Sequence, residues 1–226
     1  MARKIIDIEV FSDVLCPWCY IGAARLKSAL EDEKVKAYPL EFRIHYNPFL
    51  INPALTDKPM TRQEANDAKG VISDPEMTDA ARARITREGE KEGLKFVWKE
   101  ETTLRSTKDC HRVLEKVWKE KGWKKQVELS EMFYKGAHTD GLDVADTEII
   151  TKFVTEIGAM TEEECRAFLK SDEGNYELDK ALQKNKHWGI EEVPFYTLVD
   201  EQWHVKGSSS KFEWLRVFEQ INSVMS

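Results

Sequence analysis

Cys16 and Cys19, in the run Cys16-Pro17-Trp18-Cys19, are the residues of this chain best suited to chemistry. Two cysteines separated by two residues can form a reversible disulfide, supply half of a zinc site, or fill space as small apolar side chains. A four-cysteine zinc site needs a second close pair. The remaining cysteines, Cys110 and Cys165, stand alone and 55 positions apart. The setting of Cys16 and Cys19, between a strand-like run and a helix-like run, favours the redox use.

The upstream run, Ile5 to Phe11, is β-branched and aromatic with acids at alternate central positions, as in a strand closed by Ser12 and Asp13. Downstream, Ile21, Leu26, Ala29 and Leu30 recur at helical spacing from Trp18 onward. Pro17 suits the first helical turn, where its missing N–H costs nothing. Cys16 therefore falls at or just before a helix N-terminus. Unpaired N–H groups and the helix dipole favour an anion there, so the thiolate is favoured over the thiol. Cysteines in such settings ionise at roughly 3.5–7.5 instead of about 8.5. Cys19 lies one turn further in and is expected to be more buried. This assigns Cys16 to attack through a mixed disulfide and Cys19 to resolve it.

Composition bounds the alternatives. The chain has 226 residues, enough for a substantial core, and 33% of them are charged. Mean hydropathy is −0.55, and no apolar run approaches the roughly 18 residues of a membrane span. A net charge of −7 argues against general nucleic-acid binding. Four cysteines are too few for a disulfide scaffold, so Cys110 and Cys165 are read as buried small hydrophobes. Met1 to Lys4 leads directly into the first strand with no secretory signal, and the expected location is cytoplasmic. His45 reads as a strand-face residue, His111 as a helix hydrogen-bonding residue, His138 and His187 as loop or helix-end residues, and His204 as part of a short strand. No metal site is expected.

After the first helix, Glu31 to Lys34 reads as a charged hinge, and Tyr38 to Tyr46 as a second strand with Leu40, Phe42 and Ile44 on one face. From Thr61 to Trp188 the signals are helical. Starts fall at Thr61 with Glu64, Asp74 with Pro75, Ser106 with Asp109, Asp146, and Thr161 with Glu164. Gly93, Gly122 and Gly158 act as stops. Segments 126–135 and 175–186 read as further helices. Strand signals return over Val193 to Val199, opened by a proline, and over Trp203 to Lys206. Ser208 to Ser210 then caps a closing helix with apolar positions at Phe212, Leu215, Phe218 and Ile221. The order is βαβ, a helical block, then ββα. It divides into a discontinuous domain of residues 1–60 and 188–226 and a helical insertion of residues 61–187.

That order, with the cysteine pair at the first strand–helix junction and Pro194 opening the third strand, resembles the thioredoxin pattern. Ser12 to Tyr20 resembles the active site of DsbA-like thiol–disulfide oxidoreductases, and most of all the FrnE-like subgroup. Asn47 to Pro53, Ser106 to Arg112 and Gly189 to Phe195 resemble further segments of that subgroup, so the likeness spans essentially the whole chain. Glu192 stands where the subgroup usually has glycine, Cys110 where it has alanine, and Gly207-Ser208-Ser209 where Gly-Ala-Gln is common. The resemblance implies an α/β thioredoxin fold with a large all-helical insertion. It also implies a cis Val193–Pro194 bond that leaves the Val193 backbone free to pair with an extended substrate. Trp18 supplies no ionisable cation beside the pair. This suggests a couple less oxidising than DsbA, at about −120 mV, and nearer thioredoxin, at about −270 mV.

The expected activity is therefore exchange between the Cys16–Cys19 pair and protein or small-molecule thiols and disulfides. Pro17, Trp18, Val193 and Pro194 would contact the substrate. No bound cofactor is required, and glutathione is a candidate co-substrate. Two other readings stand beside it. One is a glutathione-dependent isomerase or transferase of the kappa or 2-hydroxychromene-2-carboxylate isomerase type, which resembles this architecture but usually carries serine at the active position. The other is a non-enzymatic redox-responsive binding module. The sequence sets neither the substrate nor the oligomeric state.

Overall fold

The structure is a computed structural model and describes residues 3–70 and 75–225. Its order is β1 (Lys4–Ser12), α1 (Pro17–Leu30), α2 (Glu33–Lys36), β2 (Leu40–Pro48), α3 (Arg62–Lys69), α4 (Pro75–Lys91), α5 (Lys108–Lys121) and α6 (Trp123–Lys135). A π-helical turn (Gly136–Asp140), α7 (Thr147–Glu156), α8 (Glu162–Lys170), α9 (Asn175–His187), β3 (Phe195–Leu198), β4 (Trp203–Lys206) and α10 (Lys211–Met225) complete it. The strands form one sheet in the order β2-β1-β3-β4. β1 runs parallel to β2 and antiparallel to β3, and β4 is antiparallel to β3. This is the βαβ…ββα order expected from the sequence, with a long helical segment between β2 and β3.

Alternation on β1 explains its central place. Ile6, Ile8 and Val10 are each at most 2% exposed and pack with Leu26, Ala29, Trp214 and Phe218. Cys16 and Cys19 belong to this same core. The helical segment builds a second core from Val113, Leu129, Phe133, Ile150, Val154 and Phe168. Val14, from the loop just before Cys16, is buried in that second core. The active-site loop is thus the seam between the two cores.

One link between them is a side chain acting as a strand. β2 is an edge of the sheet, and the carboxamide of Gln126, fully buried on α6, accepts from Tyr46 N at 2.8 Å and donates to Tyr46 O at 3.0 Å. Asn185 on α9 donates to Pro48 O at 2.6 Å. Edge groups that would otherwise be buried unpaired are satisfied this way.

Several boundaries differ from the sequence expectation. Residues 33–36 form the short helix α2, capped by Asp32, where a hinge is expected. The N-cap position of α5 is Thr107, not Ser106, with no side-chain capping bond, and Asp109 pairs with Arg112. α6 begins three residues before Gln126 because Gly122, with φ of 84°, turns the chain directly from one helix into the next. Phe212 is 69% exposed, and Trp214 takes the core position on α10. Thr61 and Thr161 do form capping boxes with Glu64 and Glu164. Asp74 lies outside the described residues.

Candidate active site

Cys16 is the N-cap of α1, with extended backbone (φ −87°, ψ 111°). Its Sγ accepts from Cys19 N at 3.3 Å. This is the capping role that serine or aspartate usually fills, here performed by sulfur. Pro17 occupies the first turn as its missing donor allows. The N–H groups at the helix N-terminus and the helix dipole both point positive charge at this sulfur.

Cys19 differs as its place in the turn predicts. It is 2% exposed against 6% for Cys16. Burial, first, and then the Cys16 sulfur beside it push the Cys19 thiol well above its ordinary value. Both cysteines are free thiols in this structure. The two sulfurs therefore sit in different surroundings, Cys16 capping the helix and Cys19 held protonated by burial.

The third wall is the segment before β3. Val193–Pro194 is a cis peptide bond, as the resemblance implies, and Val193 O lies 3.7 Å from Cys16 Sγ. Gly22 brings α1 against this wall. A Cβ built there would lie 2.5 Å from the Tyr196 hydroxyl and 3.0 Å from Pro194 Cγ. Glycine on α1 is therefore a condition of the close approach between the cysteine helix and Pro194.

Asp13, 1% exposed, holds the loop from the other side. Its Oδ1 accepts from Leu15 N at 3.1 Å and its Oδ2 from Ile51 N at 2.8 Å. Arg25, further along α1, is 8% exposed and donates to Glu92, Glu88 and Ser208 O, each at 2.7 Å. It fastens α1 to α4 and to the start of the turn before α10.

The six residues singled out in the sequence separate into two groups. Cys16, Cys19, Val193 and Pro194 converge. Pro17 lines a cleft that Leu15 also borders. Trp18 is half-buried against the Ile21, Ile85 and Phe96 cluster, with the Arg84 guanidinium 5.1 Å from its ring. A cation on α4 therefore stands beside Trp18, supplied from a distant part of the chain.

Of the histidines, His45 does lie on a strand face. It bridges Glu9 at 3.0 Å and Glu115 at 3.2 Å and stacks on Trp118. His111 Nε2 lies 3.0 Å from Phe49 O. His138 is neither a loop nor an ordinary helix-end residue. It sits in the π-helical turn, 8% exposed, stacked on Tyr20, with Nε2 unpartnered. Sequence patterning misses His138, Asp13 and Gln126, since each acts through a contact remote in sequence. Cys110 and Cys165 are fully buried, as expected. No cluster of potential metal ligands occurs among the described residues. No helix among them is long and apolar enough to cross a membrane.

The chain was compared with known proteins. Residues 7–214 match the model of the DSBA-like thioredoxin domain. A probable DsbA oxidoreductase from Streptomyces coelicolor superposes with a TM-score of 0.80 at 26% identity, over 95% of this chain and 89% of that one. A 2-hydroxychromene-2-carboxylate isomerase gives 0.67 at 13% identity, over 97% and 99%. The cytosolic disulfide reductase DsbM from Pseudomonas aeruginosa, solved with glutathione, gives 0.65 at 12% identity, over 95% and 98%. The last two likenesses concern the fold alone. No curated protein matched in sequence.

Proposed function

Because this chain belongs to the DSBA-like thioredoxin-domain family, we propose that it is a thiol–disulfide oxidoreductase working through Cys16 and Cys19, of the FrnE-like kind. One observation carries the reading above the others: Cys16 Sγ accepts the Cys19 N–H at the N-terminus of α1, 3.7 Å from Val193 O. A nucleophile, a resolving thiol and a backbone edge for an extended substrate are supported at one point.

In the reductive direction the Cys16 thiolate attacks one sulfur of a substrate disulfide. The substrate S–S bond breaks, its leaving thiolate takes a proton from water, and a mixed disulfide remains. Cys19 then loses its proton and attacks Cys16 Sγ, releasing the second substrate thiol and leaving the Cys16–Cys19 disulfide. Two electrons have passed to the substrate, and two molecules of glutathione thiol would restore the pair as glutathione disulfide forms. Val193 and Pro194 are the substrate wall, with Pro17 and Trp18 at its rim. DsbM is described as cytosolic and was solved with glutathione. This supports a cytoplasmic, glutathione-coupled reductase as the working form here.

The test is the reduction potential of the pair, measured by equilibration with glutathione and thiol trapping. A value below roughly −150 mV, toward the thioredoxin range, is expected. A value near that of DsbA would reverse the direction and remove the cytoplasmic reading. Turnover that survives Cys19→Ser would instead favour the glutathione-dependent isomerase.

A further inference from the structure

A cleft of about 440 Å³ is bordered by Leu15 and Pro17, the neighbours of Cys16 in the chain, and not by Val193. Leu15 and Pro17 form its floor beside the cysteine, and Ile85, Trp98 and Leu104 give it a mostly apolar wall. Polar groups interrupt that wall, Asn52, Asn66, Lys69 and Arg82 among them, together with His138 and Arg62. His138 reaches it from the π-helical turn, with Nε2 buried and unpartnered. Arg62 reaches it from the first turn of α3. Among the described residues no carboxylate lies within ion-pair distance of Arg62. The neighbouring Glu100 is engaged by Arg82 at 2.7 Å.

A buried imidazole nitrogen with no partner is costly unless a ligand supplies one. The Val14 backbone hydrogen-bonds the same ring, and burial keeps the imidazole neutral by drawing its pKa down to about 4. With its proton directed at Val14, the ring presents a lone pair at Nε2, which asks for an N–H or O–H donor. A guanidinium on apolar ground asks for a carboxylate.

We propose that this cleft is the subsite for the non-reacting half of a small disulfide or thiol: an aromatic or branched apolar body carrying one carboxylate and one N–H or O–H donor. The inference rests on the oxidoreductase reading and deepens it. The carboxylate meets Arg62, the donor meets His138 Nε2, and the sulfur emerges past Pro17 at Cys16. An extended protein substrate would use the Val193 side, so the two substrate classes reach one sulfur past different residues.

N,N′-dibenzoyl-cystine has these features, and 2-hydroxyethyl disulfide has neither the ring nor the acid. Reduction of each is followed by thiol release, in the wild type and in Arg62→Gln and Ala81→Trp, the latter filling the cleft from an exposed rim position. For dibenzoyl-cystine, kcat/KM is expected to fall about tenfold in each variant, the size of one lost charge-assisted contact. For 2-hydroxyethyl disulfide it should stay within about twofold. Equal losses for both disulfides, or none, would overturn the subsite. Losses seen with oxidised glutathione but not with dibenzoyl-cystine would overturn the apolar class. Calorimetry of N-benzoyl-alanine with the Cys16→Ser, Cys19→Ser protein separates the two levels of inference. Binding that Arg62→Gln weakens, with no disulfide turned over by the wild type, keeps the cleft and rejects the oxidoreductase. Absence of binding rejects the cleft whatever the turnover.

Discussion

Cys16 and Cys110 both stand at the start of a helix, and their surroundings differ. Cys16 caps α1 and its sulfur accepts a backbone N–H from Cys19. Cys110 is the third residue of α5, fully buried, and its sulfur donates to Val144 O at 3.5 Å. Burial first, then the nearby carboxylates of Asp13, Asp109 and Asp143, push the Cys110 thiol well above its ordinary range. A helix N-terminus is thus not sufficient to activate a thiol. Further into the helix than the cap, the Cys110 sulfur has left the converging N–H groups and meets Val144 O, whereas the Cys16 sulfur accepts a backbone N–H as well as facing the more distant Val193 O.

The contrast breaks most sharply under substitution. Cys16→Ser is expected to lower disulfide turnover by about a thousandfold or more, since a serine hydroxyl is a far weaker nucleophile than a thiolate. Cys110→Ala should leave turnover within about twofold and lower stability by about 1 kcal/mol, the cost of a lost small buried group. Steady-state kinetics and urea melts on the two variants read both numbers. Comparable losses of activity would show that Cys110 is also part of the machinery.

Alkylation sharpens the same contrast. In native protein at neutral pH, iodoacetamide should modify Cys16 on the order of a hundredfold faster than Cys110 or Cys165, which react only through opening of the helical core. Peptide mass mapping against time gives the ratio. Cys19→Ser should accumulate a covalent Cys16–substrate adduct, visible as a mass increase that dithiothreitol removes.

Smaller effects test the supports of each helix. Gly22→Ala gains up to about 1 kcal/mol of helix propensity but must force apart Tyr196 and Pro194, an overpacking cost of about 1–3 kcal/mol. The net expectation is a loss of ~1–2 kcal/mol, with a larger fall in kcat/KM for extended peptide disulfides than for 2-hydroxyethyl disulfide. Equal falls would mean that the Pro194 wall does not select extended substrates.

α5 is tied to the sheet by His45. Burial opposes its charge, but the hydrogen bonds to Glu115 and Glu9 outweigh it and raise its pKa from 6.5 to about 9. Because the folded value is the higher, this link is fully present below pH 6.5 and is lost as pH rises through about 9. Its worth, discounted for partial exposure, is ~1–2 kcal/mol. Melting temperatures between pH 6 and 10 should therefore fall more for the wild type than for His45→Gln. Parallel curves would show that the link contributes nothing.

Much of this architecture is legible in the amino-acid sequence alone. The strand–CxxC–helix junction, the capping boxes at Thr61 and Thr161, and the return to strands around Pro194 are local signals, and each appears where residue type and spacing put it. The four convergent site residues are legible for the same reason, with the resemblance supplying Val193 and Pro194. The residues that escape act at long range. Gln126 looks like any polar helix residue until β2 is placed beside it. His138 looks like a helix end, because no pattern announces a π-helical turn. Phe212 and Trp214 both suit an apolar helix face, and only the packing of α10 against Tyr196 chooses Trp214. Asp13 reads as a strand stop, whereas its carboxylate ties the loops on either side of the pair.

The Gln126 clasp on Tyr46 has a bearing on how this protein behaves in a crowd. An uncovered strand edge is a template on which a second chain can polymerise. Here the Tyr46–Pro48 end of that template is occupied by side chains already part of the fold, so growth through that end of β2 would first require α6 to peel away. The clasp is neutral at both ends, and alkali that loosens the His45 link leaves it closed. The opposite edge of the sheet, β4, has four residues, too short to seed a stack on its own.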